Sequence, residues 1–391
     1  MNQRHQKLLC ELLAQPTAPF REQHVAAWAM RRLARAGVSH FFDPAGNLVV
    51  GAACAADYRR LVRRASREPL RLFIAHMDHP GFHGVRWITD RRLAIRWHGG
   101  SPTRLLRGAR VWLAADAGYV GAGQLAAIRL RKSGHALGSA EVRLRAPLAA
   151  PLAASELFGG LGFRAAVWQS GRKLYTKAAD DLVGVFAVVE TAAALRRERL
   201  GSPFLGLLTR GEEVGFTGAL AHFELGWLKR ARRPIVCVSL ETSRTLPGAI
   251  VGRGPVVRLG DRRTVFDPHA LKVLSDVAQV ALPGKHQRRI MDGGTCEATA
   301  ATIYGLPAIG ISVPLGNYHN EAYEGAPGIP ARRGPAPEFV HLDDVDGLLR
   351  LCRALLDRGL AWHQPWRDVL QRLRKNLRGY RRPLKRSIQA R

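Results

Sequence analysis

Cysteine is scarce in this 391-residue chain: Cys10, Cys54, Cys237, Cys296 and Cys352 are odd in number, widely scattered and never in a Cys-x-x-Cys pair. That excludes a disulfide framework and a thiolate zinc site, and marks them as small buried hydrophobes. Long apolar runs are also missing. The first twenty residues, MNQRHQKLLCELLAQPTAPF, carry polar positions throughout, so neither a signal peptide nor a membrane span is expected and a cytoplasmic location follows. There is no internal repeat and no low-complexity tract. Acidic residues are few, 31 against 60 Lys and Arg, for a formal charge of +29. Such a balance raises nucleic acid or an anionic membrane as a partner. Yet the excess is spread in pairs such as Arg31-Arg32, Arg63-Arg64, Arg232-Arg233 and Arg332-Arg333, with no nucleic-acid motif around them. A generally Arg-rich surface is the expectation, with no specific nucleic acid.

What is present is an ordinary globular composition, 47% hydrophobic and 23% charged, on a chain long enough for one large domain and a smaller one. Residues 7 to 33 carry Leu8, Leu9, Leu12, Leu13, Val25, Trp28, Ala29 and Leu33 at helical spacing, broken by Pro16 and Pro19, which predicts two helices and a turn. Short apolar runs at 48–50, 70–75, 204–209, 235–240 and 308–313 read as strands, and 182–196, 217–229, 268–280 and 343–356 as helices. Continuous apolar strands alternating with helices indicate an α/β domain with a sheet covered on both faces. Between about residues 87 and 177 the texture changes to short alternating segments rich in Gly and Pro, the pattern of a small all-β insert. The tail from Trp366 is strongly basic, with Val369, Leu370, Leu373 and Leu377 forming an apolar stripe that is expected to dock on its own protein, the alternative being an acidic partner or a membrane surface.

The chemistry concentrates at the ends of these strands, where open α/β sheets bind ligands. His76 closes one strand, and Asp78, two residues on, can accept a hydrogen bond from its other ring nitrogen. Asp180-Asp181 opens a long apolar helix: the bland role is capping, the functional one is a carboxylate bridging two cations. Glu212-Glu213, in Arg-Gly-Glu-Glu-Val-Gly, would repel each other unless cations offset them; one can ligate while the other removes a proton from water. Glu241 and His319 follow two further apolar strands. Two imidazoles and at least four carboxylates form an oxygen and nitrogen set suited to zinc, cobalt or manganese.

As a set, AHMDHPGF, KAADDLVG, LTRGEEVGFTGA, the strand ending at Glu241 and VPLGNYHN resemble the M42 family of metallo-aminopeptidases (glutamyl and tetrahedral aminopeptidases), and more distantly the M28 family. Weaker matches are FDPAGNLVVG, GRGPVVRLGD and GGTCEATA; together the motifs span residues 7 to 356 in the family's order. The resemblance implies a zinc-exopeptidase, phosphorylase/hydrolase-like fold: a mostly parallel central sheet flanked by helices, with an inserted small β-barrel. It divides the chain into a catalytic domain at 1–87 and 171–365, an oligomerisation or lid domain at 88–170 and a basic tail at 366–391. It implies that His76, Asp180 and Glu241 hold one divalent metal and Asp180, Glu213 and His319 the other, with Glu212 as general base and Asp78 orienting His76. The implied activity is removal of N-terminal residues from peptides by metal-activated water, in a homo-oligomer. Asp180-Asp181-Leu182 replaces the family's Asp-Asp-Arg, Gly294-Thr295-Cys296-Glu297-Ala298 its Gly-Thr-Asp-Ala, Glu241 its Asp, and His319-Asn320 its His-Ser, which points to a divergent subfamily. The rival readings are a deacylase or carboxypeptidase of M20 type, and a polyanion-binding protein with a vestigial metal site.

Overall fold

A computed structural model describes every residue except 200, 202, 323–333 and 390–391, so Arg332-Arg333 lies outside the described residues. Two amphipathic helices open the chain, α1 (Gln3–Leu13) and α2 (Gln23–Arg35), followed by the hairpin β1 (His40–Phe42) and β2 (Leu48–Val50), then α3 (Ala55–Arg63) and β3 (Leu70–His76). The hairpin turn is built by Asp43, whose carboxylate accepts hydrogen bonds from the backbone N–H groups of Ala45 and Asn47.

Six strands follow without a long helix between them: β4 (Gly81–Thr89), β5 (Arg92–His98), β6 (Arg110–Ala115), β7 (Gly118–Leu130), β8 (Leu137–Leu144) and β9 (Phe158–Leu161). They close into a barrel in the order β4-β5-β8-β7-β6-β9. Alternation explains the closure: Leu93, Ile95 and Trp97 of β5 point inward with Val111 and Leu113 of β6 and Val142 of β8, while their neighbours face out. The strands β10 (Val167–Ser170) and β11 (Lys173–Thr176) then return the chain to the larger domain.

The rest is α4 (Leu182–Arg197), β12 (Phe204–Thr209), α5 (Thr217–Glu224), β13 (Ile235–Arg244), β14 (Val256–Asp261), α6 (Pro268–Ala281), β15 (Gln287–Met291), α7 (Glu297–Ile303), β16 (Ala308–Leu315), β17 (Glu338–His341), α8 (Leu342–Ala354) and α9 (Arg367–Gln389). An eight-stranded sheet runs β1-β2-β12-β3-β13-β16-β14-β15, and β10-β11-β17 form a small antiparallel sheet beside it. The four central strands β12, β3, β13 and β16 are parallel, and nearly every residue in them is buried. The mixed α/β fold with an inserted barrel therefore agrees with the sequence reading. Because the central strands share a direction, His76, Thr209 and Glu241 come out along one edge of the sheet, with Thr209 paired to His76.

Three details differ from expectation. The helix expected over 217–229 stops at Glu224, because Gly226 takes a left-handed conformation (φ 68°) that ends it. Glu241 lies inside β13, which runs to Arg244, rather than after it. The tail does form a helix, but α9 does not dock on its own protein: Leu370, Leu373 and Leu377 are 46%, 56% and 46% exposed. Among the described residues no helix is long and apolar enough to cross a membrane.

Candidate metal centre

Each candidate ligand is fixed by the element it lies in or next to. β3 delivers His76 fully buried at the sheet edge, where Nδ1 lies 3.1 Å from the Asp78 backbone carbonyl. That leaves Nε2 facing the site, 3.5 Å from Asp180 Oδ1 and 3.8 Å from Glu212 Oε2. The Asp78 carboxylate stands 3.6 Å from the ring and spends its hydrogen bonds elsewhere: Oδ1 and Oδ2 accept the backbone N–H groups of Glu212 (3.0 Å) and Glu213 (3.1 Å). Asp78 thus steadies both the imidazole and the acidic turn.

The turn after β12 can present its N–H groups to Asp78 because Gly211 adopts φ 60°, a left-handed conformation that a side chain would strain. Glu22 clamps the same turn from α2's N-terminal side, accepting hydrogen bonds from Gly211 N (3.1 Å) and Arg210 Nε (2.8 Å). At the start of α4 the two aspartates divide the roles weighed for them. Asp181 caps the helix, accepting from Gly184 N and from Thr242 Oγ1 (2.9 Å), and Asp180 faces the site. Asp180 Oδ1 meets His76, and its Oδ2 lies 3.6 Å from His319 Nε2. His319 Nε2 is in turn 3.2 Å from Glu213 Oε2.

The structure therefore brings His76, Asp180 and Glu241 together as one triad, and Asp180, Glu213 and His319 as another, each with ligand atoms within 4.8 Å of one another. Glu212 sits against both through the His76, Glu212 and Glu213 group. Asp180 Oδ1 and Glu213 Oε1 are buried with no hydrogen-bond partner among the described residues. Buried acceptors left in this state, in a mixed His and carboxylate set, fit divalent cations.

The electrostatics say the same. Burial pushes the Glu212 carboxyl well above the ordinary carboxylate range, opposed by His76 and reinforced by Glu213 and Glu241. Burial likewise raises Glu241 to about 7 despite Arg258, and Glu297 to about 8. For His76, burial would lower the pKa, but Glu212, Asp180 and Asp78 outweigh it and raise it well above the usual value. Carboxylates packed at this density repel unless positive charge is placed among them.

Several further residues position the centre, although sequence reasoning gave them no role. Glu338 of β17 is fully buried and accepts hydrogen bonds from the N–H groups of Ala179 (2.6 Å), Asp180 (3.2 Å) and His319 (2.9 Å), tying both triads to one carboxylate. His79 joins the Asp180 carbonyl (2.7 Å) to Asn320 Oδ1 (3.2 Å), and Asn320 Nδ2 donates to the Lys177 carbonyl. From the barrel, Gly100 packs so closely that a Cβ there would lie 2.1 Å from His319 Nδ1; its carbonyl accepts a hydrogen bond from Trp97 Nε1. Beside Glu241 a pocket is lined by Thr242, Ser243, Arg244, Arg258, Thr295 and Tyr318.

Residues 161–324 match the family model of the M42 glutamyl aminopeptidases, which bears out the resemblance read from the motifs. No curated protein sequence matches the chain. Among solved structures, a TET aminopeptidase from a marine-sediment Thaumarchaeota archaeon is 19% identical with a TM-score of 0.71, covering 92% of this chain and 98% of that one. The TET1 peptidase of Pyrococcus horikoshii, described as assembling into a tetrahedron or a large octahedral shell, is 20% identical with a TM-score of 0.69, covering 90% and 99%. An aminopeptidase from the archaeon Desulfurococcus kamchatkensis is 20% identical with a TM-score of 0.68, covering 92% and 96%. At these identities the structural likeness establishes the fold, and the family match adds the peptidase class.

Proposed function

We propose that this chain, an M42-type peptide hydrolase, is an aminopeptidase that works with two divalent cations, zinc or in its place cobalt or manganese, shared across Asp180. The observation that carries the reading is the placement of the two Asp180 oxygens, one 3.5 Å from His76 Nε2 and the other 3.6 Å from His319 Nε2. His76 and Glu241 would complete one cation site, and Glu213 and His319 the other. When bound, such a pair supplies Lewis acidity, polarising the scissile carbonyl and bringing the pKa of a water toward about 7.

The chain's own residues do the rest. Glu212 takes the proton of the attacking water and hands it to the leaving amine; its burial favours holding that proton between the two events. Asp78 keeps Glu212 in reach by holding its backbone N–H, and the Asp78 carbonyl keeps His76 Nε2 turned inward. A carboxylate of the cluster receives the substrate's free α-ammonium, which limits cleavage to the first residue. The pocket beside Glu241 receives that residue's side chain. Its buried Arg258, 3.4 Å from Ser243 Oγ and 4.0 Å from Glu241 Oε2, supports a preference for acidic N-terminal residues. The barrel, through the loop at Gly100, shapes the entrance above His319, and the assemblies described for the TET1 peptidase support a homo-oligomer here.

The test is hydrolysis of aminoacyl-arylamides and short peptides after chelation and again after zinc, cobalt or manganese is returned. Restored release of free N-terminal residues, with aspartyl and glutamyl substrates ahead of leucyl ones, is the expected outcome. Hydrolysis confined to N-acylated amino acids would replace aminopeptidase by deacylase.

A further inference from the structure

The helix α9 plays no part in the centre described above, and it combines two features that a solvated helix does not need together. Trp366, Leu370, Leu373, Leu377 and Tyr380 recur at steps of four, three, four and three residues, so they lie along one stripe, and all are between 42% and 67% exposed. Around that stripe, from Arg367 to Lys385, stand eight Lys and Arg against one acid, Asp368. The helix is held at its base, where Trp362 packs against the core with the Arg71 guanidinium over its ring at 5.6 Å, and where Lys272 Nζ lies 5.7 Å from the Trp366 ring.

We infer that α9 is a peripheral membrane anchor, lying in the interface of an anionic lipid surface with its leucine stripe among the acyl chains and its bases among the headgroup phosphates. Charge complementarity selects this occupant. A second copy of the chain is itself strongly basic, with a net charge of +29, and the flanks of the stripe offer no carboxylate to meet Arg374, Lys375, Arg378 or Arg381 of a paired helix. A nucleic acid would satisfy the bases and leave the leucines in water. An anionic lipid surface meets the apolar stripe and the bases at once, and Trp366 and Tyr380 are the side chains that settle at headgroup depth. The helix is far too polar to span, so the attachment is reversible and sensitive to salt.

The experiment is co-sedimentation of the full-length protein with vesicles of phosphatidylcholine alone and of phosphatidylcholine mixed with phosphatidylglycerol, beside the variant Leu370→Glu, Leu373→Glu, Leu377→Glu. The expected result is binding to the mixed vesicles only, reversed by high salt, and weakened at least about tenfold in the variant while arylamide hydrolysis is unchanged. Three results would overturn the proposal: no binding to anionic vesicles at low salt, equal binding by the variant, or a variant that loses an oligomeric state rather than vesicles. Retained hydrolysis in the variant separates failure of the anchor from failure of the aminopeptidase reading.

Discussion

At the scale of single residues, the centre is a problem of unbalanced charge, and its candidate ligands stood out in the sequence because each closes, extends or follows an apolar run or opens an apolar helix. His76, Asp180, Glu213, Glu241 and His319 carry side chains that such positions do not need for packing. Glu338 and Glu22 were not legible, and His79, though inside the AHMDHPGF motif, showed no partner there, because their roles are contacts across the fold: Glu338 reaches Asp180 from 158 positions away, and the run Pro337-Glu338-Phe339 has no motif. Substituting Glu212→Gln should lower kcat on the order of a hundredfold to ten-thousandfold while bound metal is retained, as read by steady-state kinetics beside metal analysis. Away from the centre, Asp43 accepts hydrogen bonds from Asn47 Nδ2 and, at 2.8 Å, pairs with His222 Nδ1, whose other nitrogen meets Tyr58 Oη at 2.9 Å. Burial would raise its pKa, but the bonds to His222 and Asn47 prevail and hold it below the ordinary value. A carboxyl depressed in the folded state stabilises above its unfolded pKa and loses that contribution as pH falls through the folded one. Asp43→Asn should therefore cost about 1–3 kcal/mol near neutrality, and the gap in Tm between the two proteins should close in acid.

At the scale of elements, the sheet was legible because its central strands are continuous apolar runs, and the barrel because its strands alternate. What sequence does not carry is where a loop lands. The loop after β5 returns to press Gly100 against His319, a contact between segments more than two hundred positions apart that no local pattern announces. Gly100→Ala should push the imidazole away and weaken metal binding about tenfold to a hundredfold, measured by competition with a chelator, with little change in Tm. The pocket wall is likewise assembled from β13, β14 and the stretch before α7, so its buried arginine emerges only once the strands pair. Arg258→Met should reduce kcat/KM for glutamyl substrates more than for leucyl ones, a ratio that a purely structural loss would leave alone.

At the scale of the whole molecule, the surplus of positive charge has no single address, and its sum in the sequence does not say which part meets a partner. The tail shows the limit well: helical period made α9 readable, while its partner was not, since an amphipathic stripe is the same whether it packs inward or outward. The larger architecture is simpler, a parallel sheet edge that gathers candidate ligands from β3, the residues leading into α4, the turn after β12, β13 and the segment after β16 into one cluster, with a barrel loop over it. The most direct measurement is the metal content of the purified protein, before and after chelation and reloading, read beside aminoacyl-arylamide hydrolysis in the same samples. Two divalent cations per chain are expected, with activity that leaves and returns with them, and loss of both cations in Asp180→Ala. Hydrolysis undiminished in the fully chelated protein, or two cations still bound by Asp180→Ala, would contradict it.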